Sequence, residues 1–179
     1  MNADRGSRRP TTKKLFVLRH AKSSWDDPDL DDHDRPLAPR GRRAAKVVAE
    51  HVHANELEPD LVLCSSARRT RETLELVKPG GESVIDPELY GADADGVLDR
   101  IRRVPERTGS VMVIGHNPAM QELVLDLAHT SDPTVIDEAR HKFPTGALAT
   151  LTLECAWSEL SSGSARLNSF VRPKQLSRA

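Results

Sequence analysis

The chain of 179 residues is long enough to bury a full core without disulfide or metal staples, and its length fits one domain. Its 26 Lys and Arg against 27 Asp and Glu leave a formal net charge of -1, so neither nucleic acid nor an anionic membrane is expected as a partner. The 2 cysteines, Cys64 and Cys155, lie far apart without metal-ligand spacing, which suits a reducing compartment better than a disulfide scaffold.

Residues 1–13 are polar and basic, without the apolar centre of a signal peptide, and are expected to form a disordered leader. No aromatic residues are interleaved there for base stacking, so the leader is not read as a nucleic-acid arm. No apolar run approaches membrane-spanning length, and a cytoplasmic location is expected. Residues 14–179 are read as one domain.

The first element is the run Leu15-Phe16-Val17-Leu18, unbroken and apolar as a strand buried on both faces must be. It ends abruptly in Arg19-His20. An acidic segment follows, with Asp26, Asp27, Asp29, Asp31, Asp32 and Asp34. Its Asp27-x-Asp29-x-Asp31 start imitates a calcium loop but then departs from it, with Asp32 where the turn needs Gly and Ala38 where a bidentate Glu is needed.

Pro36 to Gly41 predicts a turn leading into a helix with proline in its first turn, and Ala44, Ala45, Val48 and Val52 at helical spacing make Arg40 to about Asn55 amphipathic. Asp60 to Cys64 predicts a second buried strand, which runs into Ser65-Ser66-Ala67-Arg68-Arg69 and a helix through Val77. Pro79-Gly80-Gly81 stops that helix. Ser83 to Ile85 predicts a short edge strand, and Asp93 the cap of a helix carrying Val97, Leu98 and Ile101 on one face. Ser110 to Gly115 is a third apolar strand, ending in His116-Asn117-Pro118 before a helix to about His129. Thr130 to Lys142 is polar and is expected to be a loop or loose helical turn. Alternation from Ala147 to Leu153 predicts a strand exposed on one face, and Ala165 to Val171 a final strand ended by Pro173.

Strand, polar tip, helix occurs three times, which predicts an α/β protein of three layers, α/β/α, with a mostly parallel central sheet. In such sheets ligands bind at the strand tips. The tips here offer Arg19, His20, Arg69 and His116. Guanidinium groups match phosphate oxygens and stay charged, and they disfavour protonation of a neighbouring imidazole, leaving it free to attack phosphorus. A second imidazole can donate to the oxygens as charge develops on them. This chemistry requires no metal or other cofactor, and no metal motif is present. Cys64 is not placed for thiolate phosphatase chemistry, because the arginine needed six residues on is replaced by Thr70.

Three stretches together resemble the histidine phosphatase superfamily, also called phosphoglycerate mutase-like: Leu18-Arg19-His20-Ala21, the Ser-x-x-x-Arg-x-x-x-Thr pattern from Ser65 to Thr73, and Gly115-His116-Asn117. Short length, Arg35-Pro36-Leu37 and no large cap insertion make the chain similar to the small phosphohistidine phosphatase (SixA-like) branch. The resemblance implies a covalent phosphohistidine on His20, with Arg19 and Arg69 as phosphate clamps, His116 as the second catalytic histidine and Asn117 at the phosphate. It also implies a carboxylic acid for the leaving group, for which Glu88 is the candidate and Asp26, Asp27 and His33 are rivals. The implied substrate is a phosphorylated protein bearing phosphohistidine or a small phosphorylated metabolite, acted on by a monomer. Two alternatives stand beside it: a non-catalytic module that binds phosphate or phosphohistidine, and a sugar-phosphate or nucleotide phosphatase of the same fold.

Overall fold

The computed structural model describes residues 11–129 and 132–178. Of the leader, residues 1–10 lie outside the described residues. Its expected boundary moves, because Lys13 already belongs to strand β1 (Lys13–Arg19), paired with Leu153. The Lys13 ammonium donates to the carbonyls of Glu106 and Thr108, at 2.6 and 3.0 Å.

Six strands form one sheet in the order β3-β2-β4-β1-β5-β6: β1, β2 (Leu61–Ser65), β3 (Glu82–Asp86), β4 (Ser110–Gly115), β5 (Leu148–Leu153) and β6 (Ala165–Val171). Pairing is parallel from β3 across to β1. Strand β5 is antiparallel to both its neighbours, so it alone runs against the other five. The sheet is thus mostly parallel, and helices cover both faces, as alternating strands and helices require.

The side-chain alternation of each central strand divides the core in two. Phe16, Leu18, Val62, Cys64, Met112 and Ile114 pack under α1 (Pro39–Ala54) and α2 (Arg68–Val77) through Ala45, Val48, Val52 and Val77. Leu15, Val17, Leu63, Val111 and Val113 face α3 (Ala94–Arg102) and α4 (Ala119–Leu127) through Val97, Leu98, Ile101, Leu123 and Val124. Each such side chain taken fully out of water contributes about 1.5–3 kcal/mol.

The chain travels outward from β1 through β2 to β3 with its helices on one face, then turns back to β4 with α3 on the other. Right-handed crossovers impose that change of face when the direction of travel reverses. Strands β1 and β4 are neighbours, yet the helices that follow them go to opposite faces, which makes their tips the switch point of the sheet.

Two expectations are corrected. The polar stretch after residue 129, expected to be a loop or loose helical turn, carries a regular helix of 9 residues, α5 (Pro133–His141). Asp132 caps it, accepting from the Thr134 N–H, and Ala139 is buried against the core with Val135 and Ile136 beside it. Strand β5 was expected to expose one face, but it lies inside the sheet, with Leu148, Ala149, Leu151 and Leu153 buried and only Thr150 and Thr152 half-buried. A last short helix, α6 (Pro173–Leu176), follows β6 and packs on α1. Among the described residues, no helix is long and apolar enough to cross a membrane.

Candidate active site

Register sets the site. Arg19 pairs with Gly115 and Cys64 with Ile114, so β1, β2 and β4 end level. The residues immediately after β1 and β4 are His20 and His116, and their ring centroids lie 5.3 Å apart, tilted by 53°.

His20 is 7% exposed. Its Nδ1 lies 2.6 Å from the Ala21 carbonyl oxygen, and since a carbonyl only accepts, the ring proton is on Nδ1. The lone pair is therefore on Nε2. The ring pKa is pushed down to about 3, first by burial, with further contributions from His116, Arg69 and Arg19, against the raising effect of the Ala21 hydrogen bond. The Ala21 carbonyl is itself held, because the Ala21 N–H donates to Thr73 Oγ1 at 3.0 Å and that hydroxyl donates to the Arg69 carbonyl at 2.7 Å. One threonine thus ties the turn after β1 to the helix that carries Arg69.

His116 Nε2 is 2.8 Å from Ser65 Oγ, and its Nδ1 is buried with no hydrogen-bond partner among the described residues. Burial, then Arg69, pushes its pKa down to about 4. Arg19 leaves β1 with Nη1 donating to the Phe143 carbonyl at 2.8 Å, while its Nε is buried and unpartnered. Asn117 Nδ2 donates to the same carbonyl at 3.0 Å. Asn117 is therefore placed beside Arg19 through a shared acceptor.

Arg69 is buried in the first turn of α2, and Asp32 takes both its hydrogen bonds: Nη1 to the backbone carbonyl at 2.7 Å and Nη2 to the carboxylate at 3.0 Å. Tyr90 donates its hydroxyl to the same carboxylate at 2.8 Å. Burial alone would raise the Asp32 pKa, but these hydrogen bonds outweigh it and hold the pKa below the usual range. The Tyr90 ring stands edge-on to both His116 and His33, at 5.8 and 4.8 Å between centroids. His33 Nε2 lies 3.0 Å from Ser66 Oγ. The acidic segment thus borders the site through Asp32 and His33.

Glu88 is not brought to these groups. Its carboxylate is exposed and paired with Arg103, on the turn Pro87–Leu89 after β3. Arg68 also points away, its Nε donating to Glu72 at 2.8 Å. Cys64 is fully buried, and burial pushes its thiol up to about 12, where it is no nucleophile at neutral pH. Sequence reading did not single out Tyr90 or Asp32 as site residues. The only signal for Tyr90 is register: Ser65 pairs with Asp86, so the turn after β3 emerges on the same edge as the other tips.

Two unprotonated imidazoles 5.3 Å apart, both held down first by burial and also by the buried Arg69 and the half-buried Arg19, can bind an oxyanion and attack it. The family model of the histidine phosphatase superfamily, branch 1, matches residues 15–94. A Mycobacterium tuberculosis protein that carries only the designation uncharacterized is 38% identical over 159 residues, spanning 88% of this chain and 100% of the relative. A structure from Nakamurella multipartitia, provisionally named phosphohistidine phosphatase SixA, is 32% identical with a TM-score of 0.81, over 90% of this chain and 96% of that one. Phosphohistidine phosphatase SixA of Escherichia coli K12 is 28% identical over 173 residues, 93% of this chain and 98% of the relative.

Fold and family together define a phosphatase of the three-layer α/β class. The chain belongs to the histidine phosphatase superfamily, and within it to the SixA-like branch.

Proposed function

We propose that this phosphatase works without a metal, through a phosphoryl group carried transiently on Nε2 of His20, and that its substrate is a protein phosphohistidine or a small phosphomonoester. The observation that carries this reading is the 2.6 Å hydrogen bond from His20 Nδ1 to the Ala21 carbonyl, which leaves the Nε2 lone pair free among cations.

Arg19 and Arg69 hold the phosphoryl oxygens. The Nε2 lone pair forms the new bond to phosphorus as the bond to the leaving group breaks, and the departing atom keeps that electron pair. His116 donates to the equatorial oxygens. A phosphohistidine leaving group protonated on its other ring nitrogen departs as neutral imidazole, so Glu88 is not needed for it. Water then attacks phosphorus and passes a proton to His116 while the bond to Nε2 breaks and its electron pair returns to the neutral His20 ring; His116 then gives that proton to the departing phosphate, which leaves both rings neutral. The chain from Lys13 onward acts as one catalytic domain in this reading, monomeric and cytoplasmic.

The test is to expose the enzyme to labelled phosphohistidine peptide and to an aryl phosphate, with chelator present, and to quench rapidly. An acid-labile, alkali-stable label on His20, and loss of both label and turnover in His20→Asn, are expected. Turnover surviving in His20→Asn, or label on another side chain, would overturn the mechanism.

A further inference from the structure

Arg19 also lines a second, open cleft that the rings of His20 and His116 do not line. Its cavity volume is about 790 Å³, and Lys22, Arg40, Lys142, Arg172, Lys174 and Arg178 line it with no carboxylate among them. Four parts of the chain contribute: the turn after β1, the start of α1, the segment before β5, and α6 with its flanks. In a protein whose formal charge is -1, such a cluster is a local excess matched by acid elsewhere. The six aspartates between Asp26 and Asp34 provide it, on the loop that reaches Arg69 through Asp32.

Nearby on the same side of the sheet, Arg42 and Arg68 both pair with Glu72. Among the described residues, Lys22, Arg40, Lys142, Lys174 and Arg178 meet no carboxylate within ion-pair distance. Arg172 lies 3.5 Å from Glu138, and its Nε is buried without a partner. The first turn of α1 carries Arg40 and no acidic residue, although the helix dipole favours anions there. An anion lying in the cleft would satisfy both the dipole and the unpaired side chains.

We propose that this cleft receives an acidic segment of a phosphorylated protein substrate, so that the phosphoryl group enters beside His20 while carboxylates of the flanking chain lie along Lys22, Arg40, Lys142 and Lys174. This rests on the phosphatase reading above and names the substrate class it favours. The cleft is open and its cations stand on flexible stems, which suits an extended polyanionic chain more than a small molecule that must be largely enclosed. No aromatic side chain lines it for base stacking, which disfavours single-stranded nucleic acid. Cations spread this way steer encounter and select partners by charge.

The experiment compares two phosphohistidine peptides, one flanked by glutamates and one by serines, at low and high salt. Wild-type kcat/KM for the acidic peptide is expected to exceed that for the neutral one by about tenfold at low salt, mostly through KM, with the ratio falling toward one as salt is added. The ratio is expected to collapse in Arg40→Glu/Lys174→Glu and to fall partway in Arg40→Gln/Lys174→Gln. Equal turnover of both peptides by wild type would overturn the cleft proposal and leave the phosphatase reading standing, whereas turnover of neither peptide nor aryl phosphate would overturn that reading itself. Preference for a doubly phosphorylated small molecule without preference for the acidic peptide would assign the cleft to a second phosphate, and tight competition by a single-stranded oligonucleotide would assign it to nucleic acid. Either result overturns the proposal.

Discussion

Both hydrogen bonds that the Arg69 guanidinium makes end on Asp32. That guanidinium is thus aimed by a residue of the acidic segment that also offsets part of its charge. An entering phosphate must share Arg69 with that carboxylate, which is half exposed and screened by water. Asp32→Asn keeps the carbonyl acceptor and removes the charge. Inorganic phosphate is therefore expected to inhibit this variant about 2- to 5-fold more tightly, as one partly screened charge allows. A Ki series measures it, and weaker inhibition would mean that orientation matters more than charge.

The His20 ring, held down to about pKa 3 by burial and then by its charged neighbours, is expected to remain neutral from pH 8 to pH 5 when followed by NMR. An unfolded histidine takes up its proton near its ordinary value, about 6.5, while the folded ring waits until about 3. The unfolded chain binds more protons through that window, so this contribution to stability is full above the unfolded value and is lost as pH falls toward the folded one. Melting temperature is expected to drop between pH 7 and pH 4, and less steeply in His20→Asn. A ring that titrates near its ordinary pKa would remove the basis for this expectation.

Thr73→Val removes the acceptor of the Ala21 N–H with little change of shape. A buried donor left unpaired costs about 1–3 kcal/mol. Because the neighbouring Ala21 carbonyl orients His20, kcat/KM should fall further than stability alone explains. Thermal melts and kinetics at a temperature where the variant is fully folded separate the two effects.

Glu88 pairs with Arg103 at the surface. Loss of a working general acid costs about 10²–10⁴-fold in rate. Glu88→Gln is expected to stay within about twofold of wild type on phosphohistidine peptide and on aryl phosphate alike. A hundredfold loss on the aryl ester would show that the turn after β3 moves in during the reaction.

The sequence by itself determined the strands that end in Arg19 and Gly115, because apolar runs closed by charged or polar tips are local signals. It also determined the cap at Asp93, whose side chain accepts from Gly96 N–H. The cap at Asp132 and the proline at Pro133 are equally local, but the polarity around them predicts no more than a loop or loose helical turn where α5 forms. Tertiary structure alone decided that β1 and β4 lie side by side, which brings two histidines nearly a hundred residues apart to 5.3 Å. It also decided that Asp32 bonds Arg69 while Glu88 pairs with Arg103 at the surface, and that cations from four segments share one cleft. Periodicity and capping depend on neighbours within a few turns of chain. Strand order and loop packing depend on how the whole sheet closes, and no short stretch carries that information.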